Sequence, residues 1–261
     1  MQPLISIITV TYNAEKTLPA TIDSVDRQSM TDFEHLIIDG ASKDSTADIA
    51  RRACADRRMV FSEPDKGLYD AMNKGISKAR GQYLIFLNAG DSFHTSDTLQ
   101  IIADTIRNNS YPGIVYGQTQ LVDADRRRIA DRHLTAPENL THRDFRKGML
   151  VCHQAFVVNS RLVPMFDLQY RYSADYDWCI KCLQHSRKNI CIPQIIIDYL
   201  NEGLTTGNHR ASLIERFRIM CYYYGTIPTI IRHIGFIPRY LSNRNKLRHA
   251  TPPCTTNDNN N

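Results

Sequence analysis

LISIITVTYN, residues 4–13, is an apolar, β-branched run without helical spacing that ends in polar side chains. Apolar residues then recur at helical spacing at Leu18, Ile22 and Val25, within a predicted helix over 15–28. The stretch therefore predicts a buried strand, a polar loop and a helix. The unit recurs three times, with predicted strand and helix at 33–38 and 45–55, at 59–62 and 68–79, and at 83–87 and 98–107.

Four strand–helix units in a row predict an α/β fold with a doubly wound, mostly parallel sheet. Parallel strands need long crossover connections, and here the crossovers are helices. Such sheets bind ligands at the carboxyl ends of their strands. The loops at these ends are rich in acidic residues and span 39–44, 63–67 and 88–91.

The pattern changes at Gly113, where short strands replace the regular alternation. We predict strands at 114–117, 120–122, 129–133, 155–158 and 190–199 and a helix at 174–185. This half is of the α+β type. The predicted organisation is one domain over 1–210, divided near 112/113, followed by a basic amphipathic helical tail over 211–250 and a disordered end over 251–261.

The 261 residues carry a net charge of +5, and the excess lies in the tail. Residues 211–261 hold 7 Lys and Arg against 2 Asp and Glu, whereas residues 1–210 hold 25 of each. Arg residues alternate there with Ile, Phe and Tyr, a pattern that favours a helix on an anionic membrane over a nucleic-acid partner. A helical pair that packs on the domain with a solvated Arg face explains the pattern equally well.

No apolar run approaches the roughly 20 residues that a transmembrane helix needs. The first apolar run has no preceding Lys or Arg and ends after seven residues, unlike a secretory signal. The seven cysteines are odd in number and scattered, unlike a secreted disulfide framework. We therefore expect a cytoplasmic protein, peripheral on the inner face of the cytoplasmic membrane.

The first loop lacks the glycine-rich motifs of dinucleotide-binding folds and P-loop NTPases. Thr11, Tyr12 and Asn13 instead offer hydrogen-bonding and stacking groups, which suit a base and a ribose. Asp39 ends the second predicted strand, where its carboxylate can accept a ring N–H or a ribose hydroxyl. Asp44 and Ser45, in the same loop, are better explained as helix caps.

Two further carboxylates have positions that suit chemistry. Asp91 follows an apolar strand and emerges at the ligand edge, where a hard divalent cation would find an oxygen ligand. Asp175 and Asp177 stand at the start of a predicted helix, where capping is a common role for Asp. Spacing alone leaves catalysis and capping both open for this pair.

Three segments together resemble the family 2 glycosyltransferases of the GT-A fold. They are SIITVTYN at 6–13, IIDGASKDST at 37–46 and GQYLIFLNAGD at 81–91. The resemblance is close over 4 to about 110 and looser to about 207, and three motifs in order are a specific signal. DKGLYDAMNKG at 65–75 resembles the subgroup that builds bacterial surface polysaccharides.

The resemblance implies roles for individual residues. Asp39 would read the base edge, Asp91 would match the metal-binding aspartate and Asp175 the catalytic base. The other residues expected to bind the nucleotide sugar are Thr11, Tyr12, Asn13, Asp65, Lys66 and Asn88. His153, Gln154 and Asp177 are expected on the acceptor side.

Two features depart from the family pattern. The family's Asp-x-Asp-Asp appears as Asn88-Ala89-Gly90-Asp91, and the Glu that often precedes the base is Ala174. Metal affinity should then be weaker, or a further ligand is recruited, for which His209 is a candidate against the alternative of a surface histidine. The Q-x-x-R-W element of processive synthases is absent, which favours transfer of one sugar at a time.

The expected function is an inverting glycosyltransferase that uses Mn or Mg and a nucleotide diphosphate sugar donor. The expected acceptor is a lipid-linked saccharide, or another saccharide, in surface polysaccharide synthesis. One alternative is a sugar-1-phosphate nucleotidyltransferase, although the first loop lacks the Gly-rich, basic sequence which that reaction needs. The other is a catalytically degenerate carbohydrate-binding or scaffold protein, which the neutral Asn88 and Gly90 favour.

Overall fold

The computed structural model describes residues 2–52, 56–132, 134–201 and 209–234, with only the backbone of His209. The strands are β1 Ile5–Thr11, β2 Phe33–Asp39, β3 Arg58–Ser62, β4 Tyr83–Phe86, β5 Ser92–Phe93, β6 Ile114–Val122, β7 Arg128–Asp131, β8 Phe156–Asn159 and β9 Asn189–Leu200. The helices are α1 Leu18–Asp26, α2 Thr46–Arg52, α3 Leu68–Lys78, α4 Thr98–Asn108, α5 Ala174–His185, α6 His209–Tyr224 and α7 226–234.

The described strands form one sheet in the order β3-β2-β1-β4-β8-β6-β9-β5, with β7 beside β6. Strands β1 to β4 are mutually parallel, as predicted. Every residue of β1 and β2 is buried, because a parallel sheet is covered on both faces. The predicted α/β fold, with a parallel sheet in its first half, is confirmed.

The connections place a topological switch point beside β1. The chain moves outward from β1 to β2 and β3 and then returns to the other side of β1 as β4. Helices α1 and α2 contact each other, whereas α3 packs against β1 and β2. Ligands of open α/β sheets bind where the strand order reverses, so the carboxyl ends of β1 and β4 are the expected location.

The second half is a mixed sheet. Strand β8 is antiparallel to both β4 and β6, and β9 is parallel to β6. The strands predicted at 114–117 and 120–122 form the single strand β6, whose pairing with β9 shifts register around Gly117 and Gln118. A Cβ on Gly117 would lie 2.8 Å from the side chain of Ile196, so this glycine allows close strand contact rather than a turn.

Other boundaries differ from the predictions for local reasons. Helix α1 begins at Leu18 rather than at 15, with Pro19 in its first turn, where a missing N–H costs nothing. Strand β5 has two residues and was not predicted, because its pairing with β9 comes from distant sequence. As expected, Asp44 caps α2, since its carboxylate accepts a hydrogen bond of 3.0 Å from the Thr46 N–H.

Contact density divides the chain into one unit ending at Glu215 and a second beginning at Arg216. In the second unit, α7 exposes the side chains of Ile227, Ile230, Ile231 and Ile234. Among the described residues, no helix combines the length and hydropathy needed to cross a bilayer. The predicted disordered end at 251–261 lies outside the described residues.

A buried polar network joins the strands of the first half at His35. The Arg58 Nε–H donates to His35 Nδ1 over 3.1 Å, and His35 Nε2 lies 2.9 Å from the Thr9 hydroxyl. The Arg58 guanidinium also bonds the Asp26 carboxylate. Burial, reinforced by the Arg58 charge, lowers the pKa of His35 from 6.5 to about 3, so this imidazole is neutral in the folded protein.

We expect the network to make folding stability depend on pH. The folded pKa of His35 lies below its unfolded value, so its contribution is complete above pH 6.5 and is lost as pH falls toward 3. Between pH 7 and pH 5 the loss is about 2 kcal/mol. Urea unfolding of wild type and His35→Gln at both pH values measures it, and a constant difference between the two proteins would contradict this account.

Candidate active site

Three parallel strands end side by side at one edge of the sheet. Thr11, the last residue of β1, pairs in register with Asp39, the last residue of β2. Asn88 follows β4, on the other side of β1, within two residues of its end. The sequence therefore correctly predicted that these polar side chains share the ligand edge.

Asp39 is completely buried, and its carboxylate is fixed by serine donors. Its Oδ2 accepts hydrogen bonds from the Ser42 N–H at 3.1 Å and from the Ser62 hydroxyl at 2.6 Å. The Ser42 hydroxyl donates to Oδ1. These bonds hold the carboxylate at the end of β2 in a single orientation.

Two side chains lie against Gly40, the residue after Asp39. Tyr12 exposes 59% of its surface and Asp65 is half-buried. A Cβ on Gly40 would clash with the Asp65 carboxylate and lie 3.3 Å from Tyr12 Cδ2. Glycine therefore lets both side chains approach the backbone beside Asp39, and the exposed phenol ring offers a stacking surface beside a carboxylate.

Three further residues predicted to bind the nucleotide sugar differ in burial and in hydrogen bonding. Thr11 Oγ1 is buried and, within the described residues, has no hydrogen-bond partner. Asn13 ties the first two loops together, because its amide oxygen accepts from the Lys43 N–H at 2.9 Å. Lys66 is exposed, and its backbone N–H donates to the Asp70 carboxylate.

Asp91 lies below the same edge and is 4% exposed. Its Oδ1 accepts a hydrogen bond of 3.0 Å from the Leu200 N–H, and its Oδ2 accepts one of 2.8 Å from Gln154 Nε2. Burial raises the pKa of Asp91 to about 6, although these two bonds and the charges of His153 and Arg126 oppose the rise. Near neutral pH the carboxylate is ionised and held by two donors.

Asp175 lies in the first turn of helix α5, and its carboxylate contacts Tyr69 and His153. Its Oδ1 accepts hydrogen bonds from the Tyr69 hydroxyl at 3.1 Å and from the Tyr176 N–H at 2.9 Å. Its Oδ2 lies 3.3 Å from His153 Nδ1. The Tyr69 ring is itself held by stacking on Phe166 at 5.4 Å between centroids.

Asp175 and Asp177 have separate surroundings, because residues two positions apart in sequence lie on different faces of a helix. Asp177 is 2% exposed and pairs with Lys181 at 2.6 Å, one turn along the helix. Its contacts give no support to the predicted acceptor role, which stays a prediction. Of the two aspartates, Asp175 is the one that the fold brings to the candidate site.

The segment Cys152-His153-Gln154 forms a short 3-10 turn before β8 and is buried. His153 contacts Asp175 and, through Nε2, the Asn88 amide nitrogen at 3.4 Å. Gln154 contacts Asp91. Burial raises the pKa of the Cys152 thiol to about 11, so the thiol keeps its proton and donates to the Gln154 amide oxygen.

The residues around Asp91 fit a divalent cation. Asn88 Oδ1 is a buried oxygen that, among the described residues, has no hydrogen-bond partner. Each Asp91 oxygen engages one donor and retains a second lone pair. Mg and similar ions are commonly held by one or two protein oxygens, with substrate phosphates and water completing the shell. The described residues contain no cluster of three or more His, Cys, Asp or Glu that could hold an ion alone.

Several residues of the site were not singled out from the sequence. Tyr69, Cys152 and the Leu200 N–H come from three distant segments, so only the folded contacts place them here. Tyr69 lies in the 65–75 motif, which was the one available signal. The predicted metal donor His209 has a side chain outside the described residues.

The doubly wound sheet and the carboxylates of Asp39, Asp91 and Asp175 match the GT-A arrangement that the sequence motifs predict. The family model described as "Glycosyl transferase family 2" matches residues 6–163. The chain belongs to this family and is a glycosyltransferase.

Related sequences agree with this assignment. A PGL/p-HBAD biosynthesis glycosyltransferase of Mycobacterium tuberculosis is 32% identical over 217 residues, which cover 81% of this chain and 79% of that protein. An uncharacterized glycosyltransferase of the same organism is 33% identical over 222 residues, 80% of this chain and 78% of the relative.

Solved structures share the fold at low identity. S. aureus TarS 1-349 in complex with UDP-GlcNAc has a TM-score of 0.66 at 18% identity and covers 83% of this chain. The mannosyltransferase PcManGT from Pyrobaculum calidifontis, in complex with GDP-Man and Mn2+, has a TM-score of 0.59 at 16% identity and covers 84%. The chain spans 64% of the length of each of these two structures.

Proposed function

We propose that this glycosyltransferase moves one sugar from a nucleotide diphosphate sugar to an acceptor hydroxyl with inversion, and that Asp175 is the catalytic base. The observation that carries the proposal is the position of Asp175. Its carboxylate is held by Tyr69 and His153 at the sheet edge that also presents Asp39 and Asn88.

The donor proposal rests on Tyr12 and Asp65, which lie together beside Asp39. The exposed Tyr12 ring would stack on the base, and Asp39 would accept a hydrogen bond from the base edge. Thr11 offers a buried hydroxyl whose oxygen has no partner among the described residues, and Asn13, Asp65, Lys66 and Asn88 border the same edge. Two fold neighbours were solved with UDP-GlcNAc and with GDP-Man, donors of the proposed class.

Asp91 and Asn88 would hold a Mn or Mg ion, with His209 as a further predicted ligand. The ion would neutralise the charge that develops on the departing diphosphate. Gln154 and the Leu200 N–H keep the Asp91 carboxylate oriented toward this role. A carboxylate ligand that is itself hydrogen-bonded is a common arrangement in metal sites.

The chemical step needs one base. Asp175 takes the proton of the acceptor hydroxyl while the hydroxyl oxygen forms a bond to the anomeric carbon. The bond from that carbon to the diphosphate oxygen breaks on the opposite face, and the nucleotide diphosphate leaves with the electron pair. A carboxylate within hydrogen-bond reach of the acceptor hydroxyl can accept this proton as a general base.

The acceptor is proposed to be a lipid-linked saccharide in surface polysaccharide synthesis. The mycobacterial relative is named for PGL/p-HBAD biosynthesis. Helix α7 supplies a second argument, since Ile227, Ile230, Ile231 and Ile234 recur at helical spacing and all are exposed. Together with the tail's net charge of +5, this face suits an anionic membrane surface, which would place the enzyme on the inner face of the cytoplasmic membrane.

The membrane proposal can be tested with two isoleucines that are 72% and 65% exposed. We expect Ile227→Ser with Ile231→Ser to lower the partition coefficient onto phosphatidylglycerol vesicles at least about 10-fold, because each buried Ile contributes about 1.5–3 kcal/mol. Vesicle sedimentation measures this. Ile129→Ser, on the exposed strand β7, is the matched control. Equal sedimentation of all three proteins would contradict membrane docking.

The stacking role of Tyr12 gives a second test. We expect Tyr12→Ala to weaken donor binding by about 5- to 100-fold, since stacking of an aromatic ring on a base is worth about 1–3 kcal/mol. Tyr111→Ala is the matched control, because Tyr111 is 53% exposed near the amino end of β4. Calorimetric titration measures both, and unchanged affinity in Tyr12→Ala would remove this residue from the nucleoside site.

The donor class itself is tested by thermal shift. A ligand that binds only the folded state raises the melting temperature. UDP-glucose, UDP-GlcNAc and GDP-mannose are compared with the free nucleotides, with and without Mn. At least one nucleotide diphosphate sugar should stabilise the protein, and the absence of any shift would contradict the proposed donor site.

A further inference from the structure

The buried turn 152–154 touches both carboxylates of the candidate site. His153 Nδ1 lies 3.3 Å from Asp175 Oδ2, and the next residue, Gln154, donates to Asp91 Oδ2 over 2.8 Å. The proposed base and the proposed metal ligand are 84 residues apart in sequence, and two consecutive side chains hold them. These side chains are only 8% and 1% exposed, which leaves little surface for an acceptor.

The contacts of His153 define which ring nitrogen carries the proton. On one side Nε2 faces the amide nitrogen of Asn88 at 3.4 Å, and that group is a donor only. On the other side Nδ1 faces a carboxylate oxygen. The contact with the carboxylate needs a proton on Nδ1, so that Nδ1–H donates to Asp175.

The orientation of the Gln154 amide is defined in the same way. The Cys152 thiol donates to its oxygen, which leaves the amide nitrogen to donate to Asp91. An amide with one end on a thiol donor and the other on a carboxylate has a single satisfied orientation. The turn therefore presents one donor to each carboxylate.

We propose that His153 and Gln154 are positioning residues, and that the 152–154 turn fixes the position of the base Asp175 relative to the carboxylate of Asp91. This inference rests on the proposed function, because it assigns the turn to the geometry of the same reaction. It replaces acceptor binding as the role of His153 and Gln154.

Two isosteric variants separate the contacts of His153. The amide nitrogen of Asn can occupy the position of Nδ1, and that of Gln the position of Nε2. We expect His153→Asn to retain at least about a third of the wild-type kcat and His153→Gln to lose about 10- to 100-fold, with the donor KM changed less than about twofold. His185→Gln, an exposed histidine at the end of α5, is the control and should match wild type.

The assay follows release of nucleotide diphosphate from UDP-GlcNAc, UDP-glucose or GDP-mannose with water as the acceptor. A residue that only binds the acceptor would leave this hydrolysis unchanged when substituted, and that result would overturn the inference. Equal losses in His153→Asn and His153→Gln would overturn it as well. A wild-type protein inactive toward every donor would overturn the proposed function, and this inference with it.

Nitrogen-15 NMR of wild-type protein gives a readout that does not depend on turnover. The expected spectrum shows a proton on His153 Nδ1, and a bare Nδ1 would contradict the proposed contact with Asp175. For Gln154, calorimetry with Mn alone should show at least about 10-fold weaker binding in Gln154→Leu than in wild type. Equal Mn affinity would limit the positioning role to His153 and overturn the joint role of the turn.

Discussion

Replacement of Asp175 by Asn is expected to slow sugar transfer at least about 100-fold while donor affinity changes less than about twofold. An Asn side chain keeps the size of Asp and can still accept from the Tyr69 hydroxyl, but it cannot take a proton from the acceptor. Loss of a general base commonly costs about 100- to 10,000-fold in rate. Because Asp175 is proposed to act on the acceptor, its substitution should leave the donor-binding residues around Asp39 unchanged.

Asp177→Asn is the matched control, since the same change is made two residues further along α5. Asp177 pairs with Lys181 and its surroundings differ from those of Asp175. We expect this variant to retain transfer within about threefold of wild type, with some loss of stability. Transfer by Asp175→Asn above a tenth of the wild-type rate would move the role of base to Asp177 or to another carboxylate.

Asp91→Asn is expected to abolish the metal dependence of donor binding, so that affinity becomes equal in Mn and in EDTA. The substitution keeps the shape of the side chain and an acceptor for the Leu200 N–H, and it removes the charge that attracts a cation. Asn88→Ala should weaken metal-dependent binding only in part, because a neutral amide is a poorer cation ligand than a carboxylate. Calorimetric titration of the donor with each metal condition measures both.

The same site should respond to pH. Burial raises the pKa of Asp91 to about 6, so the fraction of ionised carboxylate falls as pH drops through 6. Metal-dependent donor binding should therefore weaken between pH 7 and pH 5. Wild-type protein that binds its donor equally well in Mn and in EDTA at neutral pH would remove the metal role from Asp91.

The first half of the fold was predictable because its signals are local. Buried parallel strands are continuous apolar runs, and Leu4 to Val10 is such a run between polar turns. The polar residue at the end of each run then shares one sheet edge by topology alone. For this reason the sequence alone predicts Thr11, Asp39 and Asn88 at one edge of the sheet.

The second half was harder because its signals are contacts between distant segments. Strand β5 is defined by its pairing with β9. Strand β6 continues through Gly117, where the side chain of Ile196 occupies the space that a Cβ would fill. A glycine between two apolar runs is a turn signal in the sequence, and only the neighbouring strand shows that it is not one here.

The residues of the candidate site show the same difference between local sequence signals and contacts between distant segments. Residue type and position predict Asp39, Asp91 and Asp175 as candidates, although spacing alone leaves capping open for Asp175. Their partners could not be predicted, since the Tyr69 hydroxyl and the His153 ring reach Asp175 from other elements. Spacing also groups Asp175 with Asp177, whereas in the folded chain Asp177 pairs with Lys181.

Product analysis tests the central claim most directly. Wild-type protein is incubated with Mn and the nucleotide diphosphate sugar that gives the largest thermal shift, and phosphorus-31 NMR and mass spectrometry identify the products. The account predicts nucleotide diphosphate in equal amount to the sugar released or transferred, without pyrophosphate, and at least about 100-fold less of it from Asp175→Asn. Formation of sugar 1-phosphate from added pyrophosphate, or no cleavage of any donor tested, would contradict it.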